Sequence, residues 1–422
     1  MALLRRVRIR AYRSAADVEL ELGPVVALVG EARAGKSNLL RAVRALLDPT
    51  APVDPGDVRR EEDGSIAVEA ELLDGRKVSL RARPPEASAE REGAPPVVFL
   101  PAGLRSAALI EASPDAAEAA RRFEEAAEEH DGRSSEASGA GALVAAFEAC
   151  CEASVAGVAF IIEEPELFLR PHTQRYLYRR LRELAAAGNQ VLYSTHAPAF
   201  LNVARLEELV LVTHDPERGT HVVRPEPLEA DEAFRVVSEF DAERSELFLA
   251  RSAILVEGRT EKLVLPSVFA ALGQDADREQ VSIVECGGKS NIPVFAQICQ
   301  ACRIPFVVVH DRDAEAGADP IPSEQGLNTL IADIAGAERV VELVPDFEAV
   351  AGLRGHSNKP ERAWNHFSTP GVEVPEPLAR AVELALAARP VRGLRTSRSD
   401  SAPNPDAGPP SAQEGSPKRR HR

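Results

Sequence analysis

The chain has 422 residues, enough for two or three domains that each bury a core. Its formal net charge of -16 excludes a passive nucleic-acid coat, which neutralises phosphates with Lys and Arg. It leaves room for a nuclease, in which metal ions supply positive charge where the phosphate sits. No apolar run approaches the about eighteen residues of a membrane span, and the N-terminus lacks the apolar region and cleavage site of a signal peptide. Five cysteines suggest a reducing compartment without a disulfide framework, so a cytoplasmic protein with no membrane partner is expected.

In chain order, residues 4–50 predict strand, strand, phosphate loop and helix, from RVRIRAYRS, VVALVG, GEARAGKS and SNLLRAVRALL. Residues 65–83 predict a hairpin whose strands meet at a two-residue Asp74-Gly75 turn. PPVVFLPAG adds a short buried strand. Residues 111–130 predict a charged, Ala-rich helical insertion with little apolar face, either a solvated arm or a dimer contact. From Ala140 a buried helix, ALVAAFEACC, precedes the strand of GVAFIIEEPE, and a helix from about Gln174 to Ala187 leads into the strand QVLYS. Strands and an acidic connector fill 206–245.

A second unit begins at Ala253 with AILVEG, a helix to Leu272, VSIVEC, a helix around Val294–Arg303, and PFVVVHDRD. The alternation of strand and helix argues for an α/β fold with a parallel sheet covered by helices. Cys299 and Cys302 form a CxxC without a second pair, so small apolar helix positions are expected there and no zinc. Residues 392–422 have almost nothing apolar to bury and are expected to be disordered. This tail carries seven Lys or Arg against three Asp or Glu, and its KRRHR end either touches DNA phosphates or is simply solvated.

Gly30 to Ser37 fits the phosphate-loop pattern, directly after a strand and directly before a helix. Gly30 and Gly35 let backbone amides curl around phosphate, and the helix N-terminus adds a favourable dipole. Lys36 would reach the terminal phosphates and the Ser37 hydroxyl would ligate Mg²⁺, with Asn38 in the same ATP-binding stretch. FIIEEPE ends a hydrophobic strand in two carboxylates: Glu163 is assigned to the metal shell and Glu164 to water activation. Ser194-Thr195-His196 ends the next strand, where His196 can sense the terminal phosphate.

These residues resemble the ABC-type ATPase head of chromosome-maintenance and recombination-repair ATPases. The resemblance implies that Ser138-Gly139 matches the signature loop capping ATP bound by the opposite subunit, hence a homodimer or higher homo-oligomer. The sequence departs from that pattern at Glu163, where Asp is usual, and at Arg170, where His is common. No glutamine lies between Ala51 and Thr173 to serve as the Q-loop residue, which bears on the rate of hydrolysis more than on binding.

AILVEGRTEK puts Glu257 at a strand end and Glu261 one helical turn further, while PFVVVHDRD puts Asp311 and Asp313 at a second strand end. Alternation predicts both aspartates on one side. Ligands bind at the ends of parallel strands, and converging carboxylates call for hard cations such as Mg²⁺ or Mn²⁺. The Gly287-Gly288 turn either shapes this site by close backbone approach or only joins strand to helix.

The acidic set resembles the Toprim domain. The only tyrosines, Tyr12, Tyr176, Tyr178 and Tyr193, lie in the ATPase half, and no zinc motif exists, which argues against a topoisomerase or primase. An ATPase head followed by Toprim is similar to the overcoming-lysogenization-defect (OLD) family of nucleases, over roughly Leu4 to Phe367. The resemblance implies an ABC-type P-loop ATPase domain at 1–245 with a helical insertion at about 102–137, then a Rossmann-like Toprim domain at 246–391. It further implies two metals on Glu257, Glu261, Asp311 and Asp313, with Glu348 as a later ligand. Lys359 would offset charge on the scissile phosphate, or is a solvated lysine. The expected activity is ATP-binding, metal-dependent endonuclease action on DNA, in phage defence or DNA repair. The alternative is a non-cleaving ATP-dependent DNA-binding protein, or a subunit that needs a helicase-like partner.

Overall fold

Three sheets carry the fold, and the middle one has a helical layer on each face. The computed structural model describes residues 3–59, 64–84, 86–103, 110–133, 139–201, 203–226, 244–314, 318–353 and 358–388. Ser138, the connector at 227–243, part of the 102–137 insertion and the tail at 392–422 lie outside the described residues.

The chain opens with an antiparallel pair, β1 (Leu4–Tyr12) and β2 (Ala15–Glu21). It then runs through β3 (Val25–Val29) and α1 (Lys36–Leu47) before β4 (Ile66–Leu72), β5 (Lys77–Arg83) and β6 (Glu86–Glu90). The first sheet has the order β2-β1-β4-β5-β6. In β4 the apolar positions alternate strictly with half-exposed ones, as a strand with one covered face must. The hairpin expected at Asp74-Gly75 is there, but its loop is one residue longer. Glu71 pairs with Lys77, the Leu72 amide bonds Arg76 O at 2.8 Å, and Gly75 takes a left-handed φ of 84°. The pattern gives no warning of β6, whose EASAE residues are all exposed and which joins the sheet through its backbone.

The second sheet has seven strands. β7 (Val97–Leu100), β8 (Glu111–Ala112), β9 (Ala159–Glu163), β10 (Gln190–Thr195), β11 (Leu209–Asp215) and β12 (Gly219–Val223) combine with β3 in the order β12-β11-β3-β10-β9-β7-β8. The five central strands are parallel, and only the outermost pairings are antiparallel. Period-two alternation sends Val26 and Leu28 toward α1 and the first sheet, while Val25, Ala27 and Val29 enter the opposite layer. Such two-sided burial explains why β3, and β9 as far as Ile162, read as unbroken apolar runs. Gln190, only 1% exposed, ties the sheets together: its amide accepts from Leu4 N at 3.0 Å and donates to Leu4 O at 2.8 Å.

That opposite layer is built by α2 (Ala117–Arg133), α3 (Gly139–Glu152) and α4 (Pro171–Ala186). The insertion is therefore not a solvated arm along its whole length. Phe123 is fully buried and stacks edge-on against Phe147 with ring centroids 5.0 Å apart. One aromatic among the many alanines supplies an apolar contact that a count of charged residues conceals.

The third sheet is wholly parallel, β14-β13-β15-β16, from β13 (Ser252–Val256), β14 (Val281–Glu285), β15 (Phe306–Asp311) and β16 (Val340–Leu343). On one face lie α5 (Arg259–Ala271) and, later in the chain, α9 (Lys359–Phe367) and α10 (Glu376–Ala387). The other face is covered by α6 (Ile292–Ala301) and α7 (Pro322–Ala335), and the short α8 (Phe347–Val350) follows β16. Cys299 and Cys302 are both buried in this layer, and burial pushes both thiols up.

Leu247 and Phe248, in the turn Arg244–Leu249, join the apolar layers of the second and third sheets into one. This turn touches the Pro198–Phe200 turn on one side and β14 on the other. Arg244 Nε also donates to Glu285 O at 2.8 Å. Among the described residues no helix is long and apolar enough to cross a membrane.

Truncating Phe123 to Ala should cost about 3 kcal/mol of stability, read as a lower urea midpoint. A midpoint shift within error would place that ring outside the core.

Candidate active sites

At the end of β3 the backbone turns sharply at Gly30, with φ 151°. A Cβ there would meet Val212 O at 2.0 Å, so glycine is required by space as well as by conformation. Gly35, φ 108°, opens α1 and is packed as tightly: a Cβ would fall 2.1 Å from Thr220 Oγ1. Thr220 Oγ1 donates to Ala34 O at 2.9 Å and shares a hydroxyl–hydroxyl hydrogen bond with Ser14 Oγ at 2.7 Å, and Asn38 Nδ2 donates to the same Ser14 oxygen at 2.7 Å. The phosphate loop is thus braced by the β1–β2 turn and by β12. Ser37 follows in the first turn of α1.

Lys36 is 5% exposed, and its ammonium donates to Gly30 O and Glu31 O, each at 2.8 Å. It also lies 3.0 Å from His196 Nε2. Burial pulls the Lys36 pKa down to about 8, partly countered by Glu164, Glu166 and Glu31. Burial, and next the Lys36 charge, hold His196 below its ordinary value. Glu164 Oε1 is 3.5 Å from His196 Nε2, and Glu164 sits in a left-handed conformation, φ 46°. Lys36, Glu164 and His196 therefore meet, as the sequence predicts.

Two acids are placed in ways the sequence conceals. Glu163, assigned to the metal shell, is 2% exposed and bidentate to Arg41 of α1, at 2.9 and 3.1 Å. Glu166 accepts the His196 backbone N–H at 2.6 Å, while its Oε2 is buried with no partner. Burial raises the Glu166 pKa, so a nearby cation or donor would be favoured there. Gly139 begins α3, at the edge of the undescribed segment that contains Ser138.

In the second site, Glu257 follows β13 and Asp311 ends β15, its neighbour in the sheet. Glu261 lies in the first turn of α5, and its Oε2 accepts Gly258 N–H at 3.2 Å. Asp311 Oδ1 accepts Phe347 N–H at 2.8 Å, while Glu257 Oε2 is buried without a partner. Burial, then Glu261 and Glu257, push Asp311 up to about 8. Glu257 and Glu261 are raised too, first by burial and then by acidic neighbours, with Lys289 and backbone donors opposing. Three buried carboxylates that resist ionising together, one with an orphaned oxygen, have the chemistry a hard divalent cation requires, although as placed they do not enclose one.

Alternation does not carry Asp313 as the sequence predicts. Strand β15 stops at Asp311, opposite Leu343, and Asp313 adopts φ 60° with its amide on Pro345 O at 2.9 Å. Its carboxylate is held at 2.6 Å by Lys289. Glu348, in α8, is paired with Lys359 at 2.8 Å, and this contact raises the Lys359 pKa. Among the described residues no three His, Cys, Asp or Glu side chains are gathered closely enough to enclose a metal ion. Lys289 and Arg41 are residues that sequence reasoning missed, and Glu166 stands in the FIIEEPE motif with no role assigned to it; beside Lys289 only the preceding glycines drew notice.

A phosphate loop on a mixed sheet, joined to an acidic parallel-sheet site, defines an ATPase head followed by a Toprim domain. Residues 248–313 match the family described as overcoming lysogenization defect protein-like, TOPRIM domain, and residues 138–202 match an AAA domain, putative AbiEii toxin, Type IV TA system. The chain is 39% identical over 239 residues to the OLD nuclease of Thermus scotoductus, covering 51% of this chain and 44% of that protein. It is 27% identical over 168 residues to the Old nuclease of Escherichia phage P2, covering 38% of this chain and 29% of that one. Among solved structures it is similar to the SMC head domain from Thermotoga maritima, at 17% identity and a TM-score of 0.35, over 54% of this chain and 99% of that one. The chain is thus similar to OLD nucleases over about half its length, and it spans less than half the length of the curated relatives it matches. Its two domain types imply use of a nucleotide and of a divalent metal.

Gly30→Ala should weaken nucleotide binding by about tenfold or more, because each 1.4 kcal/mol of strain is about a decade in affinity. Calorimetric titration with ATP checks this; unchanged affinity would mean that the Val212 contact relaxes freely.

Proposed function

We infer that the chain is an ATP-binding and ATP-hydrolysing, divalent-metal-dependent DNA endonuclease, acting in phage defence or DNA repair. The observation that carries this reading is geometric: Glu257 and Asp311 lie at the ends of the neighbouring strands β13 and β15, Glu261 lies in the first turn of α5 just after Glu257, and Glu257 Oε2 is buried without a partner. Acids gathered there, at cost to their own ionisation, are suited to a cation and, through it, a phosphodiester. In this reading residues 1–245 form the ATPase domain and 246–391 the nuclease domain.

In the ATPase half, Gly30 to Ser37 would wrap the phosphates, and Lys36 would exchange its bonds to Gly30 O and Glu31 O for phosphate oxygens. The Ser37 hydroxyl would join the Mg²⁺ shell, and Glu163 would join it only after releasing Arg41. Glu164 and His196, already beside each other, would orient the attacking water. Asn38 holds the loop through Ser14. Ser138-Gly139 would close on ATP bound by a second copy, giving a homodimer or higher homo-oligomer.

In the nuclease half, Glu257, Glu261 and Asp311 would hold Mg²⁺ or Mn²⁺, with Asp313 and Glu348 as further acids. When bound, such an ion supplies Lewis acidity to the phosphodiester and lowers the pKa of water. Lys359 keeps an ammonium next to Glu348, positioned to offset charge gathering on the phosphate. The Phe347 amide fixes the orientation of Asp311.

A second reading, a non-cleaving ATP-dependent DNA-binding protein or a subunit awaiting a helicase-like partner, is favoured by the Arg41 grip on Glu163 and the missing Q-loop glutamine.

Plasmid cleavage with Mg²⁺ or Mn²⁺, with and without ATP, separates the two. Asp311→Ala should lower cleavage by more than about 100-fold while ATP affinity stays unchanged. No cleavage by the unaltered protein under any condition would favour the second reading.

A further inference from the structure

A lysine lies beneath the acidic strand ends, and nothing above gives it a task. Lys289 is 6% exposed, and its ammonium contacts two carboxylates, Asp313 at 2.6 Å and Glu324 at 3.2 Å. Several features place it there. Gly287 and Gly288 take φ of 75° and 124°, and the Gly288 amide bonds Glu257 O at 2.9 Å, so the turn that presents Lys289 is pinned to the end of β13. Asn291 Nδ2 closes the same turn on Cys286 O at 3.1 Å. A Cβ on Gly288 would meet nothing within 4 Å, so glycine is needed there for its conformation and not for room. From the other side, Asp313 is held in a left-handed conformation and Glu324 sits in the first turn of α7.

Burying a lysine costs several kcal/mol unless opposite charges surround it. Here the surroundings contain an excess of them. Among the described residues, the ammonium contacts to the six acids Glu257, Glu261, Asp311, Asp313, Glu324 and Glu348 are those of Lys289 with Asp313 and Glu324 and of Lys359 with Glu348. The acids not paired by either lysine are Glu257, Glu261 and Asp311.

We propose that Lys289 is a resident cation of the nuclease centre, which withholds Asp313 and Glu324 from metal and leaves Glu257, Glu261 and Asp311 to hold a single divalent ion. The ammonium stands where a second metal would otherwise be drawn, since it already holds Asp313 at 2.6 Å and Glu324 at 3.2 Å. The inference rests on the nuclease reading for the purpose of the centre, but what it states is a metal count.

The test titrates Mn²⁺ into the nucleotide-free full chain and reads free Mn²⁺ by electron paramagnetic resonance. The unaltered protein should take up about one tight Mn²⁺ per chain and Lys289→Met about two, while Lys289→Arg returns to about one. Asp313→Asn should leave the count at about one. Two tight ions on the unaltered protein, one on a folded Lys289→Met, or loss of the ion in Asp313→Asn each overturns the proposal. Should Lys289→Met not fold, Asp313→Asn decides alone. Absence of DNA cleavage alongside the expected counts defeats the nuclease reading and leaves the Lys289 assignment standing.

Discussion

Carboxylates at the ends of strands covered on both faces have little water with which to share their charge. In both halves of this molecule that constraint dictates the neighbourhood. Glu163 is met by Arg41, Asp313 by Lys289 and Glu348 by Lys359, while Asp311, Glu257 and Glu261 are left to raise one another. Replacing Arg41 with a neutral residue would leave the buried Glu163 uncompensated, which is the costly way to break such a pair. The basic residues are therefore as much a part of each site as the acids.

The two halves solve the same problem with different reserves. The ATPase half keeps its own cation, Lys36, inside the loop and parks it on backbone carbonyls and beside His196 until phosphate arrives. The lowered Lys36 and His196 values reflect that enclosure. The acidic parallel-sheet half keeps an oxygen of Glu257 without a hydrogen-bond partner, which leaves it open to a donor or a cation.

Much of this was legible in the chain. The phosphate loop announces itself because two glycines at fixed spacing are demanded by conformation and contact, and the strand ends because apolar runs stop abruptly at Glu163, Glu257 and Asp311. What escaped reading has a common cause: it depends on residues far apart in sequence. Arg41 and Glu163 are separated by 122 positions, and Lys289 and Asp313 by 24. Phe123 looked stranded among charges until α3 brought Phe147 to it. Asp313 broke the alternation rule because pairing ends two residues earlier. β6 has no apolar pattern to read, since backbone pairing alone recruits it.

The turn at Arg244–Leu249 has a wider meaning. It lies against Pro198–Phe200, which begins two residues beyond His196, and through Arg244 it grips Glu285 at the start of the segment that presents Lys289. A few side chains thus stand between the residue beside the phosphate-loop lysine and the loop that governs the acidic centre. In a close-packed interior such a strut transmits displacement and does not absorb it. Exchanging the acidic half between relatives would break this strut unless Leu247, Phe248 and Arg244 travelled with it. Without them the two chemistries would be neighbours on one polypeptide with no mechanical acquaintance.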